Sequence, residues 1–218
     1  MMTIDLKQAA LALVAIAGLS APLAAHETVT VGPYEITTFD PANHSQEPTE
    51  CDKLASHPED PFSVWEGKSS SRDIDLPAAI EACRKAVEAD PANPRLNYQL
   101  GRVYGYSQRG DEAMPYRNAA IEGGYPQSLF VIGYIYIEGM NIEQDVCLGA
   151  ELMRLSAFAG RFAGQVGFPH YVLSGRFDDC PVTKDTDEML GMLAAAKPQG
   201  FYQNLLVASL KERVASAE

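Results

Sequence analysis

The sequence predicts an all-α protein, a right-handed solenoid of stacked helix pairs that follows an extended and mostly irregular N-terminal arm. Two observations predict this fold class. Small residues recur at spacings of three and four along successive segments, as on a helix face that another helix approaches closely. The same pattern returns after 32 to 36 residues, a period typical of helix-turn-helix repeats.

The first 25 residues form a separate segment. An apolar run from 9 to 19 follows a short positive start, and small residues end the segment at Ala25. This layout predicts a secretory signal peptide over residues 1–25, cleaved after Ala25, because the run is too short to span a membrane. An uncleaved anchor is the alternative, which Pro22 disfavours. We therefore expect a periplasmic or secreted protein with no membrane insertion after signal removal.

Residues 26–73 follow different rules and form the predicted arm. The stretch ETVTVGPYEITTF, from Glu27 to Phe39, alternates β-branched residues around a Gly-Pro pair, which predicts a short hairpin or an extended strand. From Asp40 to Arg72 the chain is rich in Pro, Ser, Asp and Glu, so we expect a long loop with little structure of its own.

Repeats are predicted over residues 74–200, and a C-terminal capping helix over 201–218. We name the alternating helices A and B, with short loops between them. The expected B helices lie near 76–89, 111–123, 145–159 and 185–197. The expected A helices lie near 95–107, 126–138 and 162–174, and the closing helix lies near 200–216.

The residues that recur carry a family resemblance. The A-helix set Leu100, Gly101 and Tyr104 returns 32 residues later as Ile132, Gly133 and Tyr136. Small residues at Ala113 and Ala120 mark the B helix between them, and Gly149 and Ser156 mark the next one. Together these resemble a tetratricopeptide repeat, and the second unit, with its longer turn EGMNIEQD, is similar to the Sel1-like variant. The resemblance implies a superhelix with one concave face, lined by the A helices.

Four cysteines, expected in an oxidising compartment, predict two structural disulfides, since no pair has C-x-x-C spacing. Cys83 lies on the small-residue stripe of the first B helix, so a bond to Cys51 would clamp the arm over the end of the stack. Cys147 and Cys180 lie in equivalent turns of adjacent repeats, which predicts the second bond. Buried free thiols are the alternative for each.

Helical spacing predicts which side chains face the concave surface. They are Tyr98, Arg102 and Tyr106 in one unit, and Phe130, Tyr134 and Glu138 in the next. Aromatic residues beside arginine are enriched where proteins contact partners. The alternative is that these side chains only pack between helices.

The net charge of −12 argues against nucleic acid or an anionic membrane surface as the main partner. No nucleophile, phosphate-loop or zinc-protease motif occurs, so we expect no catalytic residue, metal or cofactor. Two weaker sites stay open. His26, as a mature N-terminus, would bind copper if His44 or His57 joined it, and the adjacent Asp178 and Asp179 would serve acid–base chemistry.

The sequence thus favours a non-catalytic periplasmic module that binds a protein or peptide segment of a cell-envelope partner on its concave face. One alternative is a metal-dependent or acid–base enzyme that uses His26 or the Asp178 and Asp179 pair. Another is a passive structural component of the envelope.

Overall fold

The computed structural model describes residues 27–217. The predicted signal peptide, its cleavage site and His26 lie outside these described residues. The described chain begins with two strands, β1 (Thr28–Val31) and β2 (Tyr34–Thr37), and a short helix α1 (Glu50–Ala55). Eight longer helices follow: α2 (Leu76–Ala89), α3 (Pro94–Tyr106), α4 (Gly110–Glu122), α5 (Pro126–Glu138), α6 (Val146–Phe158), α7 (Phe162–Leu173), α8 (Thr186–Ala195) and α9 (Gly200–Ala215).

These eight helices form an α-solenoid of stacked pairs, so the predicted all-α fold class is confirmed. Each predicted helix is present, with ends within two residues of those expected. Proline opens α3 and α5, where a missing backbone N–H costs nothing. Aspartate side chains cap α2, α6 and α8 by accepting from backbone N–H groups of the first turn.

Glycine sets the contact between α5 and α6. A Cβ atom placed on Gly149 would lie 2.5 Å from the carbonyl oxygen of Gly133, and one placed on Gly133 would lie 2.9 Å from that of Gly149. The two backbones therefore touch, and larger side chains would force the helices apart. This is the close approach that the repeated small residues predict.

The predicted hairpin forms and packs on the helices. Strands β1 and β2 pair antiparallel, with Val31 opposite Tyr34 across the Gly32–Pro33 turn. Tyr34 and Ile36 are buried in a cluster with side chains of α4, α5 and α6. The hairpin is thus part of the fold rather than a free extension.

The segment expected to be a loop contains the helix α1. A capping box starts it, in which the Thr49 hydroxyl accepts from the Asp52 N–H while the Asp52 carboxylate accepts from the Thr49 N–H. Cys51 and Ala55 are buried against side chains of α2 and α3. A segment of six residues is too short to be helical alone, so α1 forms because its contacts with α2 and α3 stabilise it.

Two disulfides link the cysteines in the pairs that the sequence predicts. Cys51 in α1 is bonded to Cys83 in α2, and Cys147 in α6 is bonded to Cys180 in the turn after α7. The first bond holds the arm against the start of the helix stack. The second ties α6 to the turn that leads into α8.

The helix α9 closes the described part of the stack. Val207, Leu210 and Val214 are buried on one side of it, and Leu210 and Val214 pack in a cluster with Phe168 and Phe177. Its opposite face carries exposed apolar side chains, namely Phe201, Tyr202, Leu205 and Leu206. No helix within residues 27–217 is long and apolar enough to span a membrane.

We expect Gly149→Ala to destabilise the protein by about 1–2 kcal/mol, because the cost of overpacking exceeds the gain in helix propensity. Gly191→Ala in α8 is the matched control, since a Cβ there would meet no atom within 4 Å. It should stabilise by up to about 1 kcal/mol. Urea unfolding measures the change in unfolding free energy for both variants. Changes of the same sign would contradict the close backbone contact between α5 and α6.

We also expect mild reductant to open the Cys147–Cys180 bond at least ten times faster than the Cys51–Cys83 bond. Cys51 and Cys83 have no exposed surface, whereas Cys147 is half-buried, and thiolate attack requires access. Alkylation of the native protein followed by mass spectrometry gives both rates. In urea the two rates should converge, and a faster opening of Cys51–Cys83 in the native state would contradict this order.

Candidate functional site

The A helices α3, α5 and α7 form a surface that we call the A-helix face. The structure divides its predicted residues into two groups. Tyr106 and Tyr134 are 39% and 40% exposed, Glu138 is exposed, and Phe130 is half-buried. Tyr98 and Arg102 are only 5% and 7% exposed. Both lie beneath the N-terminal arm, a cover that spacing along the helices does not predict.

The cover is a closed loop, residues 57–67, which we call the arm loop. The Lys68 N–H donates to the Ser56 carbonyl oxygen at 2.8 Å and brings the two ends of the loop together. Gly67 packs directly on the backbone of Pro58, where a Cβ would lie 2.1 Å from the proline nitrogen. The base of the loop is therefore tightly closed.

Arg102 binds the main chain at both ends of the arm loop. Its guanidinium donates to the carbonyl oxygens of Ala55 at 2.6 Å and Ser56 at 3.0 Å, and to that of Lys68. It also lies over the Tyr106 ring, 5.1 Å from the centroid. Its Nε donates to the Tyr106 hydroxyl at 3.4 Å, and because its acceptors in the arm are all carbonyl groups, Arg102 fixes the backbone of the arm rather than particular arm side chains.

Two adjacent carboxylates of the arm loop bind the A-helix face. Glu59 pairs with Arg161, which precedes α7, at 2.9 Å, and the Arg161 guanidinium lies 5.1 Å from the Phe130 ring centroid. Asp60 is buried and accepts from the Tyr125 hydroxyl at 2.8 Å. Burial raises the pKa of Asp60 to about 6, although the Tyr125 hydrogen bond acts in the opposite direction.

Aromatic rings fill the space beside Asp60. Phe62 of the arm loop contacts Phe39 edge-on, with 4.9 Å between centroids, and Phe39 contacts Tyr125 in the same way at 5.2 Å. Tyr125 lies 5.7 Å from Tyr98, whose hydroxyl accepts from Gln127 at 3.3 Å. The loop therefore presents an acidic pair and an aromatic ring to matching groups on the helices.

The other half of the A-helix face is not covered by the arm loop. Phe130 and Tyr134 stack along α5 with 6.4 Å between centroids. The Tyr171 hydroxyl of α7 donates to Glu138 at 3.2 Å. Burial, followed by this hydrogen bond, raises the pKa of Tyr171 to about 12. This half offers aromatic surface together with a carboxylate and hydroxyl groups.

The sequence left two alternative sites open, one with His26 and one with the pair of aspartates. His26 lies outside the described residues, and His57 Nδ1 accepts from the Glu59 N–H at 3.1 Å. Asp178 and Asp179 are exposed in the turn after α7. Within residues 27–217, no three His, Cys, Asp or Glu side chains are grouped as a metal site.

Sequence reasoning missed the polar groups that lie beneath the arm. Arg95 and Gln99 lie four residues apart on α3 and are both buried, and they form one stripe with Arg102, which the sequence did predict on this face. Asp52 of α1 accepts from both Arg95 and Gln99 Nε2, the latter at 2.8 Å. The sequence did contain a signal for this contact, a row of polar residues along one side of α3. Polar side chains that are buried need hydrogen-bond partners, so such a row indicates that a segment with polar groups packs over it.

Asp60 and His57 should give the arm loop opposing responses to pH. The pKa of Asp60 is raised from 3.8 to about 6, so the folded protein binds this proton first and gains stability as pH falls through that window. Burial lowers the pKa of His57 from 6.5 to about 4, so the unfolded chain binds that proton first and stability falls.

We therefore expect Asp60→Asn to lose stability more steeply than the parent between pH 7 and pH 4, and His57→Asn to lose it less steeply. Urea unfolding across this range measures both slopes. Asp178→Asn is the control, because it replaces an exposed aspartate in another turn. Slopes for the Asp60 variant that match those of the parent would show that the buried carboxylate does not titrate in this window.

No protein-family model matches the chain, and no curated protein is significantly similar to it. Among solved structures, it is similar to a Sel1 repeat protein from Oxalobacter formigenes, with 25% identity and a TM-score of 0.45. The match covers 60% of this chain and 93% of that one.

Proposed function

We propose that this chain is a non-catalytic interaction module of the cell envelope that binds a segment of a partner protein on its A-helix face. The observation that carries the proposal is a pair of tyrosines on neighbouring A helices, Tyr106 of α3 and Tyr134 of α5, each of which keeps about two fifths of its surface exposed. A ring of this size that stays exposed contributes binding energy when a partner covers it.

The electrostatics of the face support binding rather than chemistry. Arg95, Arg102 and Arg161 are all buried, and each is engaged by a carboxylate or by main-chain carbonyl groups. Groups in such fixed pairs hold parts of a structure in register. The predicted signal peptide and the two disulfides favour a location outside the cytoplasm.

The test is capture of the tagged mature protein from its own periplasm after brief crosslinking. The test variant is Tyr106→Ala, Tyr134→Ala, which leaves the buried Tyr98 and Arg102 unchanged. The matched control is Phe158→Ala, which removes an aromatic side chain that is 54% exposed on the B helix α6. Circular dichroism establishes that all three proteins are folded.

We expect the double variant to lose at least nine tenths of the captured partner, because two exposed aromatic contacts together are worth more than a factor of ten in affinity. The Phe158 variant should capture as much as the parent. Equal capture by the folded double variant and the parent would exclude the A-helix face as the binding surface.

A further inference from the structure

Three arginines on one face stand out in a chain of net charge −12. Arg95 and Arg102 belong to α3, and Arg161 directly precedes α7. Each finds its acceptors in the arm: Asp52 for the first, the carbonyl groups at the ends of the arm loop for the second, and Glu59 for the third. The helices alone would therefore present an arginine-lined face to anionic groups.

The arm loop occupies this face as a bound peptide would. Arg102 holds the main chain that flanks the loop, at Ser56 and Lys68, and within the loop the adjacent Glu59 and Asp60 reach Arg161 and Tyr125. Phe62, two residues further on, enters the aromatic cluster. Pockets that accept particular side chains are a usual source of specificity when proteins bind extended segments.

The arm loop is attached less firmly than the segments on either side. Asp60 is its only buried residue, and Trp65 remains 46% exposed. On one side α1 is fixed by the disulfide and by the buried pair of Asp52 with Arg95, and on the other α2 belongs to the core. The loop can therefore leave the face while both anchors stay folded, because segments with few buried contacts open first.

We propose that the arm loop is a built-in occupant of a peptide groove, and that this groove binds a partner segment of the same chemistry: two adjacent acidic residues, with an aromatic residue two positions further on. The inference rests on the proposed function and names the partner segment that the A-helix face recognises. The loop competes at the high effective concentration of a tethered ligand, so a partner segment binds only to the fraction of molecules whose loop is open.

The probe is a fluorescent synthetic peptide, HPEDPFSVWE, which copies residues 57–66. Fluorescence anisotropy compares the parent with a loop-weakened variant, Glu59→Gln, Phe62→Ala. These substitutions should not unfold the chain, because the Glu59 side chain is 56% exposed and Phe62 is half-buried. We expect the variant to bind the peptide at least ten times more tightly than the parent.

Two controls test the chemistry. Adding Arg161→Gln to the loop-weakened variant should remove the gain in affinity, because it deletes the partner of the first acidic residue. A peptide in which Gln and Asn replace the acidic pair should bind the loop-weakened variant at least ten times more weakly than the original peptide. Equal binding of both peptides, or equal affinity of parent and variant for the original, would overturn the proposal.

A measurement on the unmodified protein gives an independent check. Hydrogen exchange should be at least tenfold faster for the amides of residues 57–67 than for those of α1 and α2, and equal protection would overturn the tethered-loop model. Dimerisation of the loop-weakened variant, measured by light scattering, would show that the groove binds a second copy of this chain, and it would overturn the proposal of a different partner protein. The two proposals can fail separately. If the Tyr106→Ala, Tyr134→Ala variant loses the captured partner but the peptide does not bind to the loop-weakened variant, the proposed function stands and only the peptide-groove inference is wrong.

Discussion

The buried ion pair between Asp52 and Arg95 is the contact on which the arrangement of the arm depends. Removing two charges from water is costly, and further hydrogen bonds to the two groups offset part of that cost. Asp52 also accepts from Thr49 and Gln99, and Arg95 also donates to the Ser45 carbonyl group. An arm shifted by one residue would break several of these bonds together, so the pair fixes the register of α1 on α3. The arm loop and its contacts follow from that register.

The helix pairs could be predicted from the sequence because their signal is local. Gly133 and Gly149 mark a backbone contact within one repeat, and the repetition of the pattern identifies the same contact elsewhere. The six-residue helix α1 could not be predicted in this way. It is shorter than two turns, and its stability comes from burying Cys51 and Ala55 against helices that follow much later in the chain. The proline and acidic residues around α1 favour the prediction of a loop for this segment.

The candidate site was predicted only in part, for a related reason. Helical spacing predicts that Tyr98 and Arg102 face the concave surface, but spacing does not reveal what lies above them. The cover depends on contacts such as Glu59 with Arg161, which are about a hundred residues apart in the chain and follow no periodicity. Single residues on such distant segments carry little information until the helices have been assembled.

The two disulfides also determine how the chain would respond to mechanical force. Each bond closes a loop of similar length, with sequence separations of 32 and 33 residues, so pulling on the ends cannot extend the chain inside either loop. Between the bridges lie residues 84–146, which include α3, α4 and α5. Under tension this central span would unfold and lengthen, whereas the residues inside the two bridged loops would add no extension. The described chain would thus extend through this central span and through the segments outside the bridges, while residues 51–83 and 147–180 stay in closed loops.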